Sequence, residues 1–197
     1  MKTLGILLFP DFETLDVFGP LEMFGQLSDQ FKIILISEQQ GLVKSTQGQS
    51  VMTDVSCADV EHLDLLLVPG GIGTRREIDN QTLLQWIKSH ADQAEMTLSV
   101  CTGAALLAKA GVLDGYQATT NKLAFDWVAA QSTQVQWIKK ARWVADRDRL
   151  TSSGISAGID MSLYLISRLF GEEVRAEIVR KTEYTAHTDP SDDPFAI

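Results

Sequence analysis

Short apolar runs alternate along the whole chain with longer segments in which apolar residues recur every three or four positions. Leu4 to Phe9 is a continuous apolar run of strand length, bounded by Pro10-Asp11. From Thr14 to Leu27 the spacing turns helical and places Leu15, Phe18, Leu21 and Phe24 on one face. Gly19-Pro20 interrupts that stretch, so the helix is expected to begin late or to kink there. Phe31 to Ser37 reads as a second strand, and polar alternation from Val43 to Val55, with Gly48 near its middle, predicts a hairpin excursion. Leu63 to Val68 is a third buried run, leading into Pro69-Gly70-Gly71. The next helix carries Leu83, Leu84, Trp86 and Ile87, with Asp79 or Asn80 as its cap.

The second half continues the pattern. Met96 to Val100 reads as a strand, Gly103 to Lys109 as a small-residue helix closed by Gly111, and Ala124 to Ala130 as another helix. Val135 to Ile138, Ala141 to Ala145 and Leu150 to Ser152 are short strands, with a turn at Asp146-Arg147-Asp148. Gly158 to Phe170, ended by Gly171, and Glu172 to Tyr184 are the last helices. There is no repeat and no low-complexity linker. Such β-α alternation predicts one α/β domain over residues 1–197, with a mainly parallel sheet covered by helices on both faces. Residues 188–197 form an extended tail, too rich in Pro and Asp for a helix. It is either disordered or anchored by Phe195 across the domain or a partner. Trp86, Trp127, Trp137 and Trp143 read as core or interface residues rather than ligand platforms.

Charge narrows the partners. Seventeen Lys and Arg against 26 Asp and Glu give a formal −9, a surface that repels phosphate backbones. The Lys2-led apolar start is too short for a signal peptide and lacks a small-residue cleavage site, and no run approaches the roughly 18 apolar residues of a membrane span. The expectation is an acidic cytoplasmic protein that contacts neither membrane nor nucleic acid. Two cysteines and three scattered histidines offer neither a disulfide framework nor a zinc spacing, so no metal and no cofactor is expected.

In parallel sheets, ligands bind beyond the carboxyl ends of the strands, and three strand exits carry candidate chemistry. In Leu98-Ser99-Val100-Cys101-Thr102-Gly103 a cysteine stands between a strand and a helix, with small residues two positions to either side. A sharp turn bearing a nucleophile needs such flanks, because backbone passes close by. The helix N-terminus would lower the thiol's pKa. The plain alternative is a buried, inert cysteine, which is the reading for Cys57. In Val68-Pro69-Gly70-Gly71-Ile72-Gly73 the glycines leave backbone amides free to face a ligand, although a strand-to-helix turn explains them equally. Neither a dinucleotide fingerprint nor a P-loop fits, since Arg76 stands at the third glycine and no Gly-Lys-Ser/Thr follows. The third exit, Asp11 to Pro20, offers Glu13 and Asp16, either of which can equally be a solvated helix-cap acid. His62, His90 and His187 do not adjoin Cys101 in sequence.

Together these segments resemble the ThiJ/PfpI family, cysteine-containing flavodoxin-like proteins related to class I glutamine amidotransferases. The resemblance runs through LLFPDFETLDVFGPLEMF, LLLVPGGIGTR, SVCTGAALLAKAGVLDG, ATTNKLAFDW, TSSGISAGIDMSLYLISRLFGEE and EYTAHTDPSDDPF. It is most similar to the isonitrile hydratase (cyclohexyl-isocyanide hydratase) branch and to the amidotransferase-like halves of AraC-type regulators. The resemblance implies a three-layer sandwich with Cys101 as the elbow nucleophile, Asp16 as its acid with Glu13 as fallback, and Thr102 in the hydratase branch's Cys-Thr form. Gly70, Gly71 and Ile72 match the loop facing the nucleophile. Protease-like members carry His after the cysteine, so Thr102 argues against peptidase activity. Many relatives carry His after Ala-Thr-Thr; Asn121 stands here and points to a Cys-Asp mechanism.

The function so implied is a lyase that hydrates an isonitrile to an N-substituted formamide. Asp16, kept protonated by the nearby thiolate, donates to the isonitrile carbon while Cys101 attacks, and the Gly71 and Ile72 amides hold developing charge. A glyoxalase- or deglycase-like enzyme acting on a 2-oxoaldehyde uses the same pair. A non-enzymatic ligand or oxidation sensor is the alternative of another kind. The family resemblance also implies a homodimer acting on a small molecule. Regulatory relatives continue into a helix-turn-helix domain of roughly 100 residues, the scale of a small domain, whereas this sequence stops at Ile197.

Overall fold

The apolar runs assemble, in the computed structural model describing residues 1–196, into one seven-stranded sheet. The first half supplies β1 (Lys2–Leu7), α1 (Thr14–Gly25) and β2 (Phe31–Ser37). Here α1 starts at Thr14 and continues through Pro20 without the expected late start. Pro20 lies in the second turn, where its ring costs one internal hydrogen bond. The excursion forms a smaller hairpin than expected, β3 (Leu42–Lys44) with β4 (Ser50–Met52). Val55 belongs instead to β5 (Val55–Ser56), which joins the main sheet beside β2. β6 (Leu65–Val68) is followed by the one-turn helix α2 (Thr74–Glu77), which periodicity is too short to reveal, and by α3 (Gln81–Ala91). Of the two cap candidates Asn80 serves, its side chain accepting from the Leu83 amide at 3.2 Å.

The second half contributes β7 (Met96–Val100), α4 (Gly103–Lys109), β8 (Gln117–Ala118), α5 (Phe125–Ala129) and β9 (Gln136–Trp137). β8 and β9 form a separate two-stranded pair, so the apolar run from Val135 is not part of the main sheet. β10 (Trp143–Asp146) and β11 (Arg149–Ser152) are antiparallel, joined through Arg147 at φ +53°. α6 (Ala157–Phe170) and α7 (Glu172–Thr182) complete the chain's helices. Among the described residues no helix is long and apolar enough to cross a membrane.

The strand order is β10-β11-β7-β6-β1-β2-β5, and every neighbouring pair except β10–β11 is parallel. This is an α/β fold with helices on both faces of the sheet. α1, α6 and α7 pack together on one side, and α2, α3, α4 and α5 on the other. The central strands are therefore apolar throughout: Leu65, Leu66, Leu67, Val68, Leu98 and Val100 are all buried. Each such side chain contributes roughly 1.5–3 kcal/mol of burial free energy.

Residues 188–196 are tied to the domain by groups other than the Phe195 ring. Arg142 N donates to Pro190 O at 2.7 Å and Asp193 N to Lys140 O at 3.1 Å. Asp193 is the buried member, at 5% exposure, whereas Phe195 is 66% exposed. The carboxylate is the anchor because it meets Lys122, a partner that an apolar ring could not use.

Candidate active site

Strands β11, β7, β6 and β1 are consecutive in the sheet, so their carboxyl ends form one row. Cys101 leaves β7, Gly70 and Gly71 leave β6, Asp16 lies in the first turn of the helix after β1, and Gly154 follows β11. Cys101 occupies the strand-to-helix turn at φ +55°, a region costly for any residue but glycine. Surrounding bonds hold it there. Its amide donates to Ser152 O at 3.2 Å, and its carbonyl accepts from Thr120 Oγ1 at 2.7 Å. The small flank at Gly103 is required, since a Cβ there would lie 2.2 Å from Val68 O.

Asp16 is fully buried and bonded on one side only. Its Oδ2 accepts from the Gly70 amide at 2.8 Å; its Oδ1 is buried without a hydrogen-bond partner. A Cβ on Gly70 would lie 2.9 Å from that Oδ2 and 2.6 Å from Thr102 N, so the close approach of acid, loop and elbow requires glycine. Burial pushes the Asp16 carboxyl well above the usual carboxylate range; the Gly70 bond opposes this, and the charge of Glu13 adds to it. The proton thus owes its place to desolvation and Glu13. The thiol's own influence on Asp16 is the weakest of these and pulls the carboxyl downward, which corrects the expectation that a thiolate keeps the acid protonated.

The thiol is shifted the same way. Burial, then the charge of Asp16, push Cys101 well above its ordinary value, against a weaker pull from the Thr102 amide and hydroxyl. Burial and the facing Asp16 thus work against the thiolate expected from the helix N-terminus, where α4 has only seven residues and Cys101 is 6% exposed.

Thr102 is buried and ties the elbow to the glycine loop. Its Oγ1 accepts from Gly71 N at 3.1 Å and lies 3.2 Å from Thr74 Oγ1. Thr74, which no sequence signal marked, also donates to Gly71 O at 2.7 Å. The amides of Gly70 and Gly71 are accordingly engaged by Asp16 and Thr102, and the expectation that Gly71 offers a free donor does not hold. Among the described residues the Ile72 amide has no partner, and the Ile72 side chain stands exposed.

Asn121 takes its place through Oδ1, which accepts from Ala124 N at 3.1 Å. Its Nδ2 faces Gly154, where a Cβ would come within 2.1 Å of that nitrogen and 3.2 Å of Cys101 Sγ. Gly154 escaped sequence reasoning; the small residues Ser152-Ser153-Gly154 at a fourth strand exit were the available signal. Glu13, the fallback acid, has a partner of its own, Gln47 Nε2 at 2.7 Å. A cleft of 630 Å³ opens beside these groups, reaching Glu13, Asn121 and Gly154.

No histidine joins them. His62 pairs with Asp64 at 3.5 Å, His90 stacks on Trp86, and His187 donates its amide to Asp160 at 2.9 Å beside Trp143 in a different cavity. Cys57 is half-buried beside Glu38; burial and that charge push its thiol up to about 12. Among the described residues no three His, Cys, Asp or Glu side chains are grouped to hold a metal ion.

Comparison with known proteins places the chain in a family and matches its fold. The model of the DJ-1/PfpI family matches residues 2–168. An isonitrile hydratase of Pseudomonas putida is 33% identical over 181 residues, which is 92% of this chain and 78% of that protein. The HTH-type transcriptional regulator GbdR of Pseudomonas aeruginosa is 30% identical over 90% of this chain, which spans 49% of the regulator's length. A ThiJ/PfpI family protein from Pseudomonas syringae superposes with a TM-score of 0.86 at 27% identity, covering 95% of this chain and 76% of the other. Drosophila melanogaster DJ-1beta, at 20% identity and TM-score 0.82, shares the fold over 93% of this chain and 98% of its own.

Proposed function

The chain belongs to the DJ-1/PfpI family, and from that premise we propose that it is a lyase hydrating an isonitrile to an N-substituted formamide. The observation that carries the reading is the Asp16 carboxyl: buried, held toward its protonated form, and with Oδ1 unpartnered beside the Cys101 thiol. An isonitrile carbon accepts a proton and a nucleophile in turn. Asp16 gives its proton to that carbon, forming a C–H bond, while the sulfur of Cys101 attacks the same carbon and its proton passes to Asp16. The product is a thioimidate, with Asp16 protonated again. Water then adds to the carbon, one of its protons reaching the substrate nitrogen and the other the departing sulfur through Asp16. The C–S bond breaks and the formamide leaves. One carboxyl works in both directions, so an imidazole is unnecessary.

In this scheme Thr102 positions the loop that carries Gly71, Ile72 NH meets developing charge, and Asn121 Nδ2 contacts the substrate end nearest the sulfur. The similarity to the P. putida hydratase supports the substrate class. A homodimer forms part of the same reading, checked by sedimentation velocity, and the −9 charge speaks against direct DNA contact.

The test is consumption of cyclohexyl isocyanide with formamide appearing, beside methylglyoxal as a 2-oxoaldehyde control. Loss of methylglyoxal alone overturns the substrate assignment. A second reading, a ligand-binding domain without turnover, draws on the buried, protonated thiol and on the regulator relatives. It requires a ligand to bind wild type and the Cys101→Ala variant equally, with no product from either.

A further inference from the structure

Residues 188–196 contain neither helix nor strand, yet they are fastened where they cross the end of the sheet. Beyond the backbone bonds to Arg142 and Lys140, the Asp193 carboxylate lies 3.6 Å from Lys122 Nζ in an ion pair with both side chains buried. Lys122 also donates to Ala141 O at 2.6 Å and Thr119 Oγ1 at 2.9 Å, which fixes its ammonium within the domain. The other oxygen of Asp193 accepts from Phe195 N at 3.0 Å and turns the chain so that Pro194 and Phe195 line the 630 Å³ cleft. A buried pair of this kind adds little net stability; its better attested effect is to fix register. Here the register decides where Phe195 stands.

Another part of the wall lies close to the sulfur. Gly154 and Asn121 line the cleft, and a Cβ on Gly154 would lie 2.1 Å from Asn121 Nδ2 and 3.2 Å from Cys101 Sγ, so this part of the wall packs directly against the elbow. Leu15, Leu123, Ile155 and Phe195, all exposed large apolar side chains, surround the opening. The cation in the wall, Lys122, is matched by Asp193, and Glu13 adds a further negative charge to the lining. A carboxylate or phosphate would meet net negative charge, whereas a neutral molecule with an apolar substituent finds apolar walls beside the elbow.

We infer that Phe195 is a specificity-determining wall of the Cys101 cleft, and that Lys122 and Asp193 form the clasp that positions it. For its substrate the inference rests on the hydratase reading; for the wall itself it rests on geometry alone. The experiment has two arms accordingly. Steady-state kinetics compare cyclohexyl isocyanide with methyl isocyanide in wild type, Phe195→Ala and Asp193→Ala. Removing the ring lowers kcat/KM for the cyclohexyl compound about tenfold relative to the methyl one, as expected for the loss of roughly 50–60 Å² of apolar contact at about 25 cal/mol per Å². The change falls on KM, because the reacting groups are untouched. Asp193→Ala shows the same relative loss by releasing the wall.

The second arm needs no turnover: alkylation of Cys101 by N-cyclohexylmaleimide against N-methylmaleimide, read by peptide mass spectrometry. In both variants the cyclohexyl-to-methyl rate ratio falls about fivefold. If no isonitrile is consumed but this ratio falls, the hydratase reading fails and the wall stands. An unchanged ratio overturns the inference. A dimer that dissociates in Phe195→Ala with the ratio intact overturns it too, by making the patch a subunit interface.

Discussion

Asp16 grips the Gly70 amide through Oδ2 at 2.8 Å while Oδ1 is left buried and unbonded. A carboxylate would require solvent or a second donor at that oxygen, so the arrangement suits a neutral acid with a proton to give. The cost of holding it is measurable.

Asp16→Asn keeps the shape and the acceptor for Gly70 but removes the group that resists ionising. The folded pKa of Asp16 lies above its ordinary 3.8, so the folded chain binds the proton more tightly than the unfolded chain does. Stability from this group is fully present below 3.8 and is lost as pH rises towards the raised folded value. The variant should lack that loss: its Tm should exceed wild type by several degrees at neutral pH, with the gap closing near pH 4. Thermal melts from pH 4 to 8 check this, and turnover should be abolished at every pH.

The thiol should respond to the same change. The Asp16 charge is the second cause of the raised Cys101 value, after burial. In Asp16→Asn the pH midpoint for iodoacetamide alkylation of Cys101 should therefore move down, although burial keeps it above the ordinary 9.0. A midpoint that stays or rises would show that the two groups do not sense each other. In Cys101→Ala the remaining thiol, Cys57, should react very slowly at pH 8, its pKa being about 12.

Gly154→Ala should silence the site without unfolding the domain. The new Cβ collides with Asn121 Nδ2, the movable end of a side chain, and comes within 3.2 Å of the sulfur. We expect alkylation of Cys101 and any turnover to drop at least about 100-fold, equivalent to about 2.7 kcal/mol at the transition state, with a circular dichroism spectrum like wild type. Gly70→Ala should instead lower stability by about 1–3 kcal/mol, because its Cβ meets the Thr102 backbone at 2.6 Å.

Asp160→Ala tests a purely structural hub. Its carboxylate accepts from Arg142 Nε at 2.8 Å, Tyr184 Oη at 3.1 Å and His187 N at 2.9 Å. Removing it strands a buried guanidinium and should cost about 3–5 kcal/mol in urea unfolding. Replacing Arg142 and Asp160 together by Met and Leu should recover most of that loss.

Much of this molecule was legible along the chain, for a local reason. Strand runs, helix faces, the Asn80 cap and the tight turn at Cys101 depend on neighbours within a few residues, which periodicity and small flanks report. The short elements escaped because four residues of α2 or two of β8 carry no period. The elbow, the glycine loop and Asp16 could each be nominated from sequence. That they meet required the order β11-β7-β6-β1, in which strands far apart in sequence become adjacent.

Ionisation lay further out of reach. A helix start after Cys101 argues for a thiolate, yet water exclusion by distant segments and the facing Asp16 reverse the sign. Gly154 and the Lys122–Asp193 clasp came from segments that had shown no chemistry of their own. Sequence alone determined what each stretch of backbone would become, because those preferences act over a turn or a pleat. Only the folded arrangement decided which groups share a dry pocket and which of them keep a proton, since desolvation and charge act through space.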